Sequence, residues 1–148
     1  MTAFRRARID DLPAVTALQH AAYAKNRPIL GVEPLPLLAD YAQIFSQSEV
    51  YLAERDGALD GVLILQPRAD DLLIWSVATA PRAQGRGIGN MMLAFAETRA
   101  RELGLPCIRL YTGEKLTSNV AWYRRHRYAQ EGTEDLGDRV LVNLIKRL

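Results

Sequence analysis

The stretch that decides the fold covers residues 77–90, which read Val-Ala-Thr-Ala-Pro-Arg-Ala-Gln-Gly-Arg-Gly-Ile-Gly-Asn. An apolar strand, predicted over residues 72–79, ends just before this turn of closely spaced glycines. An amphipathic helix is predicted from about Gly87 to Leu103, and a further strand over residues 108–112. A strand, a turn, a helix and a strand in this order indicate a βαβ unit with a parallel pair of strands.

The glycine-rich turn has the features of an anion site. Backbone N–H groups at a helix N-terminus, together with the helix dipole, attract negative charge. Glycines let the backbone approach a phosphate without a Cβ in the way, and Arg82 and Arg86 add positive charge beside it. A Walker A loop is excluded because it needs Gly-Lys-Ser/Thr at its end, and a dinucleotide fingerprint because residue 90 is Asn where GxGxxG requires Gly.

The other elements are predicted from periodicity and turn residues. An antiparallel meander is predicted from strands at 50–54, 61–66 and 72–79. A strand at 4–9 precedes a helix that Asp10 or Asp11 caps and that carries Pro13 in its first turn. A loop at 26–36, a helix at 37–45, a helix that Thr117 or Ser118 caps and that runs to about His126, and a final strand at 139–145 complete an α/β domain. On the long helix an apolar face and an opposite polar face are predicted, with Ile88, Met91, Met92, Phe95 and Leu103 on the first and Glu97 and Arg101 on the second.

Composition predicts one globular domain over residues 1–148, with 49% hydrophobic residues and a net charge of +2. The single cysteine, Cys107, excludes an internal disulfide, and two distant histidines without HExxH spacing predict no metal site. The small charge excess predicts no nucleic-acid partner, and the basic clusters at 5–8 and 124–127 are interpreted as solvated faces. The absence of a long apolar run in the sequence predicts no membrane partner and a cytoplasmic location.

The spacing QxxGxG at residues 84–89 resembles the pyrophosphate loop of the GNAT superfamily of N-acetyltransferases. A second segment, Thr117–Tyr123, is similar to the Asn…Tyr segment of that family, and the predicted element order resembles the family from end to end. The resemblance implies a mixed sheet of about seven strands with an antiparallel N-terminal meander, a splayed parallel pair in the middle and about four helices. It also implies acetyl-CoA as co-substrate.

The same resemblance implies a set of site residues. Asn119 would hydrogen-bond the cofactor, and Tyr123 would face the thioester sulfur as the catalytic acid. A backbone N–H between Val77 and Thr79 would stabilise the oxyanion. The cofactor-binding residues are then expected to be Val77, Ala78, Thr79, Arg82, Gln84, Gly85, Arg86, Gly87, Ile88, Gly89, Asn90, Asn119 and Tyr123.

Two features depart from the family pattern. The strand before the loop carries no carboxylate, although family members often have a Glu there as general base, so the candidates are Glu33, Asp40, Glu114 and bulk water. Arg127 stands where the family usually has Gly before an aromatic residue, and a left-handed backbone at this position would suit Arg poorly.

The expected function is transfer of an acetyl group to a primary amine of a small molecule, peptide or protein. The segment 26–41 corresponds to the acceptor-lining region, together with Tyr23. Its acidic residues would suit a cationic amine, although simple solvation of a loop explains them equally well. A non-catalytic acyl-CoA-binding or sensor protein and an unrelated phosphate or nucleotide binder are the alternatives, and a homodimer stays open.

Overall fold

A mixed seven-stranded sheet forms the centre of the molecule, a computed structural model that describes residues 2–148. The strand order is β1-β2-β3-β4-β5-β7-β6, and only the β4–β5 pair is parallel. The strands are β1 Ala3–Arg6, β2 Glu49–Arg55, β3 Ala58–Pro67, β4 Leu72–Thr79, β5 Cys107–Gly113, β6 Ala129–Asp135 and β7 Val140–Arg147. This topology confirms the predicted α/β class, the antiparallel meander and the parallel pair.

The described residues contain four helices of seven residues or more and two helices of a single turn. The helices are α1 Leu12–Tyr23, α2 Arg27–Leu30, α3 Leu35–Leu38, α4 Tyr41–Gln47, α5 Ile88–Glu102 and α6 Thr117–Arg125. Within residues 2–148, no helix has the length and apolar character needed to cross a membrane.

The sheet is buried on both faces, as the alternation along β3 shows. Val62 and Ile64 pack with α1 and α4 on one face, whereas Leu63 and Leu65 pack with α5 on the other. All four side chains have 0% exposure, and each such burial stabilises the fold by about 1.5–3 kcal/mol. The sheet is therefore a rigid middle layer from which the strand ends project.

The parallel pair separates part of the way along its length. Pairing between β4 and β5 covers only Leu72↔Ile108 to Ile74↔Leu110, although both strands continue beyond it. The register between β3 and β4 shifts at the same level, so that Trp75 is the extra residue of a β-bulge. The divergence confirms the predicted splayed pair and opens a gap between the two strands.

Several predicted boundaries were wrong, each for a local reason. The first strand ends at Arg6 because Ile9–Asp11 form a 3₁₀ turn. The Asp11 carboxylate accepts from the Arg8 N–H and does not cap α1. The predicted loop at 26–36 contains α2 and the start of α3.

The later helices also begin differently from the prediction. The second predicted helix, α4, starts only at Tyr41, because the Asp40 side chain accepts the first N–H groups of that helix. The cap position of α6 is Leu116, which is 8% exposed, and neither Thr117 nor Ser118 caps it. Met91 on α5 and Leu103 just after its end are exposed where a buried face was predicted, whereas Glu97 is only partly exposed and pairs with Lys146.

Candidate active site

A cleft runs from the gap between β4 and β5 to the first turn of α5, and it has two adjoining parts. We call the first, of about 520 Å³, the loop cavity, because residues 83–85 and 87–90 line much of it. We call the second, of about 150 Å³, the inner cavity, because residues 34–36 and the strand ends line it. Five residues line both cavities, and we call the place where the cavities meet the junction. These residues are Tyr23, Asn26, Val77, Asn119 and Trp122.

The loop cavity is built mainly from backbone. Gly85 and Gly87 have φ angles of 80° and 77°, and Gly87 is the N-cap of α5. The Met91 N–H is bonded to the Gly87 carbonyl, so the N–H groups that precede it in the first turn have no partner within the helix. This arrangement can hold an anion at the positive end of the α5 dipole.

The structure brings most of the predicted cofactor residues to the loop cavity. Its lining includes Val77, Ala78, Thr79, Gln84, Gly85, Gly87, Ile88, Gly89, Asn90 and Asn119. Arg86 is exposed and lies outside this lining.

The predicted cofactor residue Arg82 also lies outside this lining. Its guanidinium donates to the Asp60 carboxylate and to the Leu59 carbonyl, each at 2.7 Å. Because Asp60 is fully buried, this ion pair fastens the loop to β3.

Trp122 forms a wall that the sequence did not predict as part of the site. A Cβ on Gly89 would lie 3.0 Å from the Trp122 ring, and the indole N–H donates to Asn90 Oδ1 at 3.3 Å. The glycine therefore lets α6 pack directly on the first turn of α5. In the sequence, the contact of Trp122 with Gly89 and Asn90 is indicated only by the presence of a large aromatic residue next to Tyr123.

Tyr123, the predicted acid, lines the inner cavity beside the junction. Its ring packs against Trp122 and Tyr128, with centroids 4.9 and 5.8 Å apart. Burial raises the pKa of Tyr123 well above its usual value, and the nearby Tyr23 and Tyr128 raise it further. The phenol therefore stays protonated at neutral pH and can donate a proton.

A buried polar network supports the junction from the opposite wall. The Ser76 hydroxyl lies 2.8 Å from the Tyr23 hydroxyl and accepts from Gln19 Nε2 at 2.9 Å. Gln19 also donates to the Tyr41 hydroxyl, which donates to the Pro36 carbonyl at 2.6 Å. The sequence analysis named both tyrosines but not Gln19 or Ser76, whose polar side chains are buried in the structure.

The three carboxylates considered as general base lie outside the inner cavity. Glu33 forms an ion pair with Arg27, with contacts of 2.7 and 3.0 Å. Asp40 is occupied as the cap of α4, and Glu114 is exposed. Within residues 2–148 the lining contains no Asp or Glu, and its only charged side chain is Arg139.

Arg127 shows a conformation that the family resemblance anticipated. Its φ is 71°, so an arginine occupies the left-handed backbone that glycine usually provides.

Among the described residues, no group of three or more His, Cys, Asp or Glu side chains could hold a metal ion.

Comparison with known proteins gives a consistent result. The profile of the Acetyltransferase (GNAT) family matches residues 12–128. A mycothiol acetyltransferase of Cellulomonas flavigena is 32% identical over 101 residues, which cover 61% of this chain and 29% of that protein. A second one, of Thermomonospora curvata, is 34% identical over 71 residues, which cover 47% of this chain and 24% of that protein. The chain thus spans less than a third of the length of these relatives.

Solved structures share the fold at low sequence identity. The PaiA N-acetyltransferase of Thermoplasma acidophilum, in complex with coenzyme A, has a TM-score of 0.83 at 16% identity, with 100% of this chain and 99% of that chain covered. A GNAT family acetyltransferase of Elizabethkingia anophelis, with acetyl-CoA bound, has a TM-score of 0.76 at 17% identity, with 99% and 98% covered. These likenesses support the fold alone.

Proposed function

The chain belongs to the acetyltransferase (GNAT) family, and on this premise we propose that it transfers the acetyl group of acetyl-CoA to a primary amine within a ternary complex. The observation that carries the proposal is the two-part cleft. One part offers backbone N–H groups for a pyrophosphate, the other is a smaller cavity lined by side chains, and they meet beside Val77, Asn119 and Tyr123. We treat residues 1–148 as one N-acetyltransferase domain.

The loop cavity is proposed to bind the co-substrate. Solved proteins of this fold hold coenzyme A or acetyl-CoA. The N–H groups at the start of α5 suit two adjacent phosphates, and Gly85 and Gly87 keep side chains out of the way. The gap between β4 and β5 then accommodates the pantetheine arm, with Asn119 as a hydrogen-bonding side chain on one wall.

The reaction is proposed to take place at the junction. The amine nitrogen attacks the thioester carbonyl carbon, the carbon–sulfur bond breaks, and the electron pair leaves on the CoA sulfur. Tyr123, which its raised pKa keeps protonated at neutral pH, donates its phenolic proton to that sulfur as the bond breaks and regains a proton from the water that takes up the amine proton. β4 between Val77 and Thr79 has left its partner β5, so a backbone N–H there can stabilise the oxyanion.

The proton lost by the amine is proposed to leave through water. This follows from the lining of the inner cavity, which contains no carboxylate within the described residues. A primary amine of a small molecule or peptide is the acceptor in this proposal.

Within residues 2–148 the lining of the inner cavity contains no carboxylate, and this observation also favours one alternative, a non-catalytic acyl-CoA-binding or sensor protein. Calorimetric titration with acetyl-CoA, ATP and NAD tests the ligand of the loop cavity, and only acetyl-CoA is expected to bind. CoA release in the presence of a panel of primary amines then separates an enzyme from a sensor. Binding of acetyl-CoA without release for any amine would support the sensor.

A further inference from the structure

The inner cavity points to the class of acceptor, an inference that rests on the proposed function. We propose that the acceptor is a compact amine with an apolar or aromatic body and a carboxylate group that Arg139 binds. It is not a lysine side chain or a polyamine. The walls, the charge and the position of Arg139 carry this proposal.

The walls of the inner cavity combine aromatic rings and apolar side chains with polar groups. Its rings come from Tyr23, Trp75, Tyr111, Trp122 and Tyr123, and residues 34–36 cover it. A cavity of about 150 Å³ is large enough for a single aromatic ring. A ligand with a flat apolar body therefore matches these walls.

The charges of the inner cavity exclude a polycation. A second ammonium group buried here would need a carboxylate partner. Within residues 2–148 the lining contains no Asp or Glu. Outside it, Glu33 is paired with Arg27 and Asp40 caps α4. A cationic tail would instead meet the guanidinium of Arg139.

Arg139 retains hydrogen-bonding capacity for a ligand. Its side chain is 8% exposed, and it uses three donors: one to the Glu33 carbonyl at 2.7 Å and two to the Asp138 carboxylate at 3.1 Å each. An arginine has five N–H donors, so two remain on the terminal nitrogens. Since Asp138 is 56% exposed, solvent screens its charge, and a carboxylate inside the cavity can bind the same guanidinium.

The position of Arg139 fits an acceptor with two functional groups. Val77 and Asn119 line both cavities, whereas Arg139 lines only the inner one. An amine at the junction and a carboxylate at Arg139 would therefore occupy separate parts of the inner cavity.

The test uses binding and turnover in the intact 148-residue chain. Its two tryptophans, Trp75 and Trp122, both line the inner cavity, so their fluorescence reports occupancy without any reaction. Phenylacetate is expected to bind at least tenfold more tightly than phenylacetamide or phenethylamine. In turnover, phenylalanine is expected to exceed phenylalaninamide and spermidine in kcat/KM when each is calculated per neutral amine.

Variants show whether Arg139 causes the preference. Arg139→Gln is expected to reduce the preference for phenylacetate over phenylacetamide to about one, while Arg139→Lys retains part of it. Arg147→Gln, at the other end of β7, is the control and should leave it unchanged. Arg139→Gln also removes the hydrogen bond to the Glu33 carbonyl. If the only effect were greater mobility of residues 26–41, the affinities for phenylacetate and phenylacetamide would fall equally.

The outcomes separate the two proposals. Equal or tighter binding of the amide or of phenethylamine to the unaltered protein would overturn the acceptor class, as would a preference that survives Arg139→Gln. Arg139-dependent binding of phenylacetate with no turnover of any amine would contradict the proposed transferase and support the carboxylate site.

Discussion

The two parts of the cleft differ in what they are made of. The loop cavity is formed largely by one continuous stretch, and its chemistry comes from backbone N–H groups that glycines leave accessible. The inner cavity is formed by side chains from distant parts of the chain; Arg139 and the Glu33 carbonyl it binds are 106 positions apart. A site made from local backbone imposes a spacing on the sequence, whereas one made from dispersed side chains does not.

The largest expected effect tests the loop cavity, where backbone N–H groups are proposed to bind the pyrophosphate. Gly87→Asp places a side chain and a negative charge at the N-cap of α5, where φ is 77°. We expect acetyl-CoA affinity to fall at least 100-fold, because the charge opposes the pyrophosphate and the backbone is strained. Calorimetry with acetyl-CoA measures the effect.

Gly104→Asp is the matched control for strain. Gly104 follows the other end of α5 and has a φ of 71°, and a Cβ at this position would meet no atom beyond its chain neighbours within 4 Å. This variant should lose stability to a similar degree but bind acetyl-CoA normally. Equal loss of binding in both variants would mean that strain, not the anion site, explains the result.

The next effect tests the junction. Tyr123→Phe removes the proposed acid and is expected to lower kcat about 100-fold while acetyl-CoA affinity stays the same. Steady-state kinetics and calorimetry measure the two quantities. Tyr128→Phe is the control, because its buried hydroxyl has no hydrogen-bond partner among the described residues and its ring contacts that of Tyr123. Unchanged kcat in Tyr123→Phe would assign this tyrosine to packing.

A smaller effect tests the wall of the inner cavity. Ser76→Ala removes the hydroxyl that bonds both Gln19 and Tyr23, and among the described residues it leaves the buried Gln19 Oε1 without a hydrogen-bond donor. We expect the free energy of unfolding to fall by about 1–3 kcal/mol, the cost of an unsatisfied buried group. Denaturant unfolding measures it. Ser46→Ala, at an exposed position on α4, should change stability by less than about 0.5 kcal/mol, and a similar loss in both would show that the network contributes little.

Alternation and turn residues predicted the antiparallel meander and the parallel pair, because these signals act locally, whereas the splay of that pair was implied by the family resemblance. The starts of α4 and α6 were misplaced. Asp40 caps α4, and Leu116 instead of Thr117 holds the cap position of α6. Which residue takes the cap position depends on which side chains the rest of the fold buries. The contacts of Arg82 and Arg139 could not be predicted from the sequence either. Arg82 was predicted to face the cofactor but pairs with a buried carboxylate on β3, a contact that only the tertiary structure creates.

The smallest effects concern the general base, where the two parts of the cleft meet. Glu33→Gln and Asp40→Asn are each expected to change kcat less than tenfold, which is under about 1.4 kcal/mol. Glu33 pairs with Arg27 at the surface, Asp40 caps α4, and neither lines the inner cavity. Asp40→Asn retains a capping side chain and so isolates the charge.

The pH dependence of kcat/KM completes this last prediction. A lysine-like amine is neutral in only about one part in 10³ at pH 7.4, whereas an α-amino group with a pKa of 7.7–8.0 is neutral in about one fifth to one third. If water alone removes the proton, kcat/KM rises with pH up to the pKa of the acceptor and then levels off. Burial raises the pKa of Tyr123, so its protonated form persists to higher pH and the acid is not lost below its usual pKa of 10. Profiles with two acceptors of different pKa should therefore shift with the acceptor. An inflection that stays fixed for both acceptors, and disappears in Glu33→Gln or Asp40→Asn, would show that an enzyme carboxylate acts as the base.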